Sequence, residues 1–310
     1  MRVCFFGLGS IGRRHLANLA HICTQKKIPL EVHAVRSGSS FLPEDLQPLV
    51  QAQFSEAPRD IWYDAIFITN PTSMHWESLE ATRHMSNCFF VEKPLCQSGT
   101  LNLDTLQLPE ENRYYVAAPL RYTSVIQYLC QFCRTADIYS VRSISSSYLP
   151  DWRPNTDYRT VYSAKKALGG GVSIDLIHEW DYLTYLFGLP EQVLTLQGKL
   201  SHLEIDSEDL AIYIARYPDK FVEVHLDYFG RNFLRQIQLF TKEMTVTGDI
   251  LDNCIYFGDK QEPLRFQEAP NDKYLREMEY FLSLVENPDQ KSTNSLAHAM
   301  ATLRIASGIY

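Results

Sequence analysis

Three glycines at positions 7, 9 and 12, inside FFGLGSIGRRH, form G-x-G-x-x-G. That spacing suits a loop that holds a diphosphate. Gly7 permits a tight turn, Gly9 lets the backbone approach the pyrophosphate, and Gly12 allows a helix to pack on the preceding strand. The amides from Gly9 through Ser10 and Ile11 would meet the anion at the positive end of that helix. The next apolar run, EVHAV, ends in Arg36 and Ser37, where an Asp or Glu would hold the 2′-hydroxyl of NAD. Glu31 stands at the other end of that run. A guanidinium can pair with a 2′-phosphate that a carboxylate would repel, so NADP is favoured. Use of both NADP and NAD is the alternative, since an arginine can also stack on adenine. A second spacing, Cys130-x-x-Cys133, lies in an amphipathic run without a further CxxC or a nearby His pair. It reads as two small apolar residues one helical turn apart rather than a zinc or redox site.

The elements that must position these residues follow two grammars. Up to about residue 120, short apolar runs (2–6, 31–35, 64–70, 87–94 and 112–119) alternate with helical patterns such as IGRRHLANLAHIC and SMHWESLEATRHMS. This is the pattern of a parallel sheet with right-handed crossovers. After a helix at 122–134, the chain passes through a strand at 139–149 and one glycine-led helix over 169–187. It then turns to alternating apolar and polar residues in 193–200, 210–217, 221–230, 235–241, 243–249 and 253–259. That predicts an antiparallel sheet with one buried face. Two helical patterns, from 273 and from 295, close the chain. The expectation is an α/β protein with a Rossmann domain over 1–120. An α/β domain with an open, mainly antiparallel sheet follows over 121–310, the last helix packing back on the first domain.

Composition excludes several classes. The formal net charge is −8 and no basic run occurs, so a nucleic acid is not an expected partner. Seven cysteines at irregular spacing do not make a disulfide framework. No apolar run approaches the ~20 residues that span a bilayer, and the reading is a cytoplasmic protein with no membrane partner.

Five segments together, GLGSIGRRH (7–15), TNPTSMH (69–75), VEKPL (91–95), AAPLRY (117–122) and GGGVSIDLIHEWDYL (169–183), resemble the Gfo/Idh/MocA family. The family is named for glucose–fructose oxidoreductase, inositol dehydrogenase and a rhizopine-catabolism protein. The resemblance runs through the whole chain. It implies a Rossmann domain, a nicotinamide cofactor, a carbohydrate-type substrate and a homo-oligomer, dimer or tetramer, formed through the open sheet. Lys93, within Glu92-Lys93-Pro94, would lie at the nicotinamide and the reacting oxygen, with the Lys93–Pro94 bond cis. His178 would be the general acid/base. Asp175, three residues earlier where many members have four, would orient His178 or grip a substrate hydroxyl. Asn70, Pro71 and His75 match a segment lying against the cofactor, Glu92 the same motif as Lys93, and Arg121 a position at the cofactor–substrate boundary. Tyr122 and the loop residues Trp152, Arg153 and Tyr158 offer aromatic and ionic groups to a polyhydroxylated ring.

The function expected is hydride transfer between nicotinamide and a sugar, sugar acid, inositol or nucleotide sugar, the wording of YLPDWRP resembling a branch in bacterial surface-sugar metabolism. The alternatives are a glycosidase that retains its dinucleotide, and a non-catalytic dinucleotide sensor. No metal site is expected.

Overall fold

A computed structural model describes residues 1–36, 42, 44, 46–258 and 262–310. The chain divides into two units, Met1–Pro119 with Asn271–Met300, and Leu120–Pro270 with Ala301–Tyr310. The segment 271–300 thus belongs to the first unit.

The first unit is built on a six-stranded parallel sheet. Its elements are β1 (Arg2–Phe6), α1 (Ser10–Lys26), β2 (Glu31–Val35), β3 (Ala52–Phe54), β4 (Ala65–Ile68), α2 (His75–Thr82), β5 (Cys88–Val91) and β6 (Arg113–Val116). The strand order β3-β2-β1-β4-β5-β6 is that of a dinucleotide-binding sheet. Strands β4 and β5 are buried along their full length, which is why they read as unbroken apolar runs. Phe5 stacks on Phe67 at 4.3 Å between ring centroids. Phe281, from a late helix of this unit, meets Phe67 and Phe90 edge-on at 5.2 Å. The three-residue β3 was not expected, because AQF is too short to show a period.

In the second unit α3 (Ser124–Phe132) and β7 (Ile138–Tyr148) precede α4 (Val172–Asp175) and α5 (His178–Phe187). Strands β8 (Gln192–Gly198), β9 (Leu210–Arg216), β10 (Phe221–Asp227), β11 (Phe229–Thr241), β12 (Thr245–Asp249), β13 (Cys254–Phe257) and β14 (Leu264–Arg265) follow. They form one sheet in the order β14-β13-β12-β11-β7-β10-β9-β8, in which only β7 and β10 pair in parallel. The chain closes with α6 (Asp272–Glu286) and α7 (Leu296–Ala306). One sheet face is buried: Tyr182 meets Ser143 at 2.7 Å, and Trp180 packs edge-on against Tyr213. On the other face Leu194, Leu196, Ile214 and Phe221 are exposed.

The single helix expected over 169–187 is two helices. The chain leaves the helical conformation at Leu176 (φ −97°, ψ 27°), returns to it at Ile177 (φ −58°, ψ −18°), and α5 begins at His178. Val172, Ile174 and Ile177 crowd this stretch with β-branched side chains, which weaken a helix. Asp175 and His178 therefore do not share one regular helix face.

Candidate functional site

The glycine motif forms the turn between β1 and α1. Gly7 adopts φ +91°, and a Cβ there would lie 2.7 Å from Asn70 Cα. A Cβ on Gly12 would lie 2.6 Å from the Gly7 carbonyl oxygen and 2.7 Å from Thr69 Oγ1. Both positions therefore exclude any larger side chain, while the side of Gly9 faces open space. Helix α1 starts after Gly9 with neither a side-chain cap nor an acidic residue in its first turn. The amide groups of its first turn are left for an anion.

This turn borders a cleft of about 480 Å³. Gly7, Gly9, Asn70 and Pro71 line it, and so does Arg36 at the end of β2. Arg36 Nη1 donates to Gln53 Oε1 at 3.1 Å, which anchors one corner of the guanidinium. A residue the sequence reading missed, Arg59, lines the same cleft from the stretch after β3. It is exposed, and its only sequence signal is a cation in the loop-like EAPRD. Glu56 and Glu77 also border the cleft. Glu31 points its charge elsewhere, pairing with Arg2 at 2.9 Å. Ser37 lies outside the described residues.

Lys93 follows β5, half-buried, and its peptide bond to Pro94 is cis. Its backbone N–H donates to Glu92 Oε2 at 3.1 Å. Glu92 is itself buried against His15 of α1, whose Nε2 lies 2.5 Å from Glu92 Oε1. Burial pushes the Glu92 carboxyl up, but the His15 hydrogen bond and the charges of His15, Lys93 and His75 outweigh it and hold the group below its ordinary value. His15 thus braces the Glu92-Lys93 corner, a role the reading of its segment did not include. His75 is buried, its two ring nitrogens 3.1 Å from the Pro94 carbonyl and 3.0 Å from the Asn70 carbonyl. Burial lowers its pKa despite these contacts. His75 sits behind the cleft wall and ties the Asn70 turn to Pro94.

In the second unit Asp175 ends α4 and accepts a hydrogen bond from the Tyr228 hydroxyl at 2.6 Å. Burial, reinforced by the negative charges of Asp175 and Glu208, raises Tyr228 well above its ordinary value. The same three causes raise Tyr162. Both phenols are therefore neutral donors beside two carboxylates. Glu208, also missed in the sequence, accepts from Ser173 Oγ at 2.6 Å. A Cβ on Gly171 would lie 2.1 Å from its Oε1, so the triple glycine makes room for this carboxylate. His178 stands half-buried at the start of α5.

The remaining candidates are dispersed. Arg121 is 1% exposed and gives both Nε and Nη2 to Asp181, at 2.9 and 2.7 Å. Its guanidinium is held by that carboxylate within the second unit, and it does not line the cleft at the glycine turn. Tyr122 is half-buried at the end of the turn Pro119–Tyr122. The Tyr158 hydroxyl accepts from the Glu204 N–H at 3.1 Å. Trp152 and Arg153 line a second cavity of about 450 Å³. Glu179 is fully buried against Arg235 at 2.7 Å.

No family model and no curated protein match the chain. Solved structures do. Myo-inositol 2-dehydrogenase from Lactobacillus plantarum superposes with a TM-score of 0.78 at 18% identity, over 100% of this chain and 96% of that one. UDP-N-acetylglucosamine 3-dehydrogenase from Acidithiobacillus ferrooxidans gives 0.77 at 19% identity with the same coverage. Levoglucosan dehydrogenase in complex with NADH gives 0.84 at 16%, over 100% and 95%. The fold is that of these dehydrogenases. It is also the fold that the family resemblance implied, a parallel dinucleotide-type sheet followed by a mainly antiparallel one. Among the described residues, no helix is long and apolar enough to cross a membrane, and no His, Cys, Asp or Glu cluster could hold a metal.

Proposed function

We propose that this protein is a nicotinamide-dependent dehydrogenase or reductase acting on a carbohydrate hydroxyl or ketone. The observation that carries the reading is the turn at Gly7–Gly12. It leaves uncapped amides at the head of a 17-residue helix, on the border of a cleft of dinucleotide-binding size. These residues fit a bound dinucleotide. Gly7, Gly9, Ser10, Ile11 and Gly12 would hold the pyrophosphate, and Asn70 and Pro71 the wall beyond it. Arg36, with Arg59 added, would take the 2′-phosphate of NADP. When bound, the nicotinamide supplies or accepts the hydride.

The chain's own residues handle charge and protons. Lys93, with no ion pair or side-chain hydrogen bond to a described residue, stabilises negative charge on the reacting oxygen. His178 exchanges the hydroxyl proton. Asp175, with Tyr228 donating to it, grips a neighbouring hydroxyl. The three dehydrogenases named above act on inositol, a nucleotide sugar and an anhydrosugar, which supports a polyhydroxylated ring as substrate. The exposed row of Leu194, Ile214 and Phe221 supports burial of the open sheet face against a second copy of the chain.

Titration calorimetry with NADPH and NADH, followed by a panel of sugars, sugar acids, inositols and nucleotide sugars read at the nicotinamide absorbance, tests this reading. NADPH binding and turnover of at least one class are expected. A folded protein that binds neither dinucleotide overturns it.

A further inference from the structure

The cavity at Trp152 is assembled with more care than a surface dent requires. Strand β11 breaks register there: Phe229 pairs with Tyr148, and the next pair is Leu234 with Ser146. Residues 230–233 thus oppose the single residue Ser147, and this bulge carries Arg231 and Phe233 into the cavity wall. The bulge is pinned. Asp227 Oδ1 accepts from the N–H groups of Phe229 and Gly230 at 3.1 and 2.6 Å. A Cβ at Gly230 would lie 1.8 Å from Ser146 Oγ. The Trp152 ring is equally fixed, donating from Nε1 to Ser147 Oγ at 3.0 Å and meeting Tyr228 edge-on at 5.3 Å.

The lining has a definite chemistry. The Arg231 guanidinium carbon sits 3.6 Å from the centroid of the Tyr148 ring, a cation–π contact that occupies the ring side of the group and leaves its other N–H groups for an anion. The Arg153 side chain forms no ion pair or hydrogen bond with a described residue; only its backbone carbonyl is engaged, accepting from the Thr156 N–H at 3.2 Å. Asp151 is the one carboxylate against these two cations. Phe233 is 65% exposed, an unusual cost for a ring held on a pinned bulge. A neutral sugar needs neither two guanidinium groups against a single carboxylate nor a spare aromatic face. A diphosphate joined to a flat heterocycle uses both. Tyr228 links this cavity to Asp175: its ring packs against Trp152 and its hydroxyl binds the carboxylate.

We propose that this cavity is a subsite for the nucleoside diphosphate part of a nucleotide-linked sugar whose sugar ring is held at Asp175. The proposal rests on the reading of Asp175 as a substrate residue, and its test stands apart from turnover. Protein is first titrated with NADPH and kept saturated, so that the glycine-loop cleft is filled. UDP, GDP and inorganic pyrophosphate are then titrated by calorimetry. UDP or GDP is expected to bind, and Arg153→Ala and Arg231→Ala each to weaken it about tenfold or more with NADPH affinity unchanged. Phe233→Ala is expected to weaken the nucleotides more than pyrophosphate. Protein that binds NADPH but neither nucleotide overturns the subsite and leaves the dehydrogenase reading standing. Nucleotide binding unaltered in both arginine variants also overturns it. Protein that fails to bind NADPH overturns the cofactor reading, and the arginine variants still decide the subsite.

Discussion

The nucleotide cleft and the Asp175 cluster are built by different means. The cleft is made chiefly of backbone: a left-handed Gly7, a close-packed Gly12 and the amide ends of α1, all within six residues. The cluster is made of side chains that the chain brings from far apart, with Asp175 meeting Tyr228, and Ser173 meeting Glu208. A backbone site tolerates divergence everywhere except where a Cβ would collide. A side-chain site can change its ligand with one substitution. The first therefore fits a constant cofactor, and the second a substrate that varies among proteins of one fold.

The sharpest way to break that division is at Lys93, whose side chain is the group proposed to act and whose backbone N–H is bound to Glu92. Lys93→Ala is expected to lower kcat by about 10²-fold or more while NADPH affinity changes little. Steady-state rates beside a calorimetric titration check it. Full turnover in the variant would remove Lys93 from the chemistry.

Next in size is the adenosine end of the cleft. The double variant Arg36→Ala with Arg59→Ala is expected to weaken NADPH by roughly 10- to 100-fold, as lost charge-assisted hydrogen bonds predict, with NADH nearly unaffected. Fluorescence titration of both dinucleotides gives the ratio. Equal losses for the two would show that the arginines contact adenine and not a 2′-phosphate.

How far each region could be read in advance follows the same line. The glycine spacing announces the cleft because one short segment contains all the steric conditions. Five of the six strands of the first sheet announce themselves as apolar runs, and β3 does not, because three residues carry no period. Arg59 is silent, since a lone loop cation looks the same in solvent as in a cleft. The break at Leu176 is hidden because apolar spacing continues across it. Arg121 reads as a charge at the cofactor–substrate boundary, and it proves to be neutralised by a partner tens of residues away, Asp181. Glu208 and Tyr228 are invisible as functional groups because their partners are set by tertiary packing alone.

A smaller effect tests the brace behind Lys93. His15→Ala leaves the buried Glu92 carboxylate without its partner, at a cost of about 1–3 kcal/mol at neutral pH. Glu92 is held below its ordinary value in the folded protein, so its stabilising contribution is complete above the unfolded carboxylate pKa of about 4.3 and disappears as pH falls through the folded value. In the variant, burial is opposed only by the Lys93 N–H and the charges of Lys93 and His75, and the carboxyl moves up relative to the wild type. The difference in Tm between wild type and variant is therefore expected to be widest near pH 6–8 and to narrow below about pH 4. A difference that stays constant with pH would assign the loss to packing of His15 on Phe90.

The smallest change asked of the molecule is a single oxygen atom. Tyr228→Phe keeps the ring that packs against Trp152 and removes only the donor to Asp175. Stability should fall by about 1 kcal/mol, since the phenol is buried and the carboxylate loses one hydrogen bond. If Asp175 grips substrate with its orientation set by this hydroxyl, KM should rise several-fold with kcat nearly unchanged, while NADPH affinity stays where it was. Thermal melts and steady-state kinetics on the same preparation separate the two effects. A fall in kcat with constant KM would move Tyr228 from holding Asp175 to taking part in the proton path. The side-chain region would then carry chemistry of its own as well as recognition.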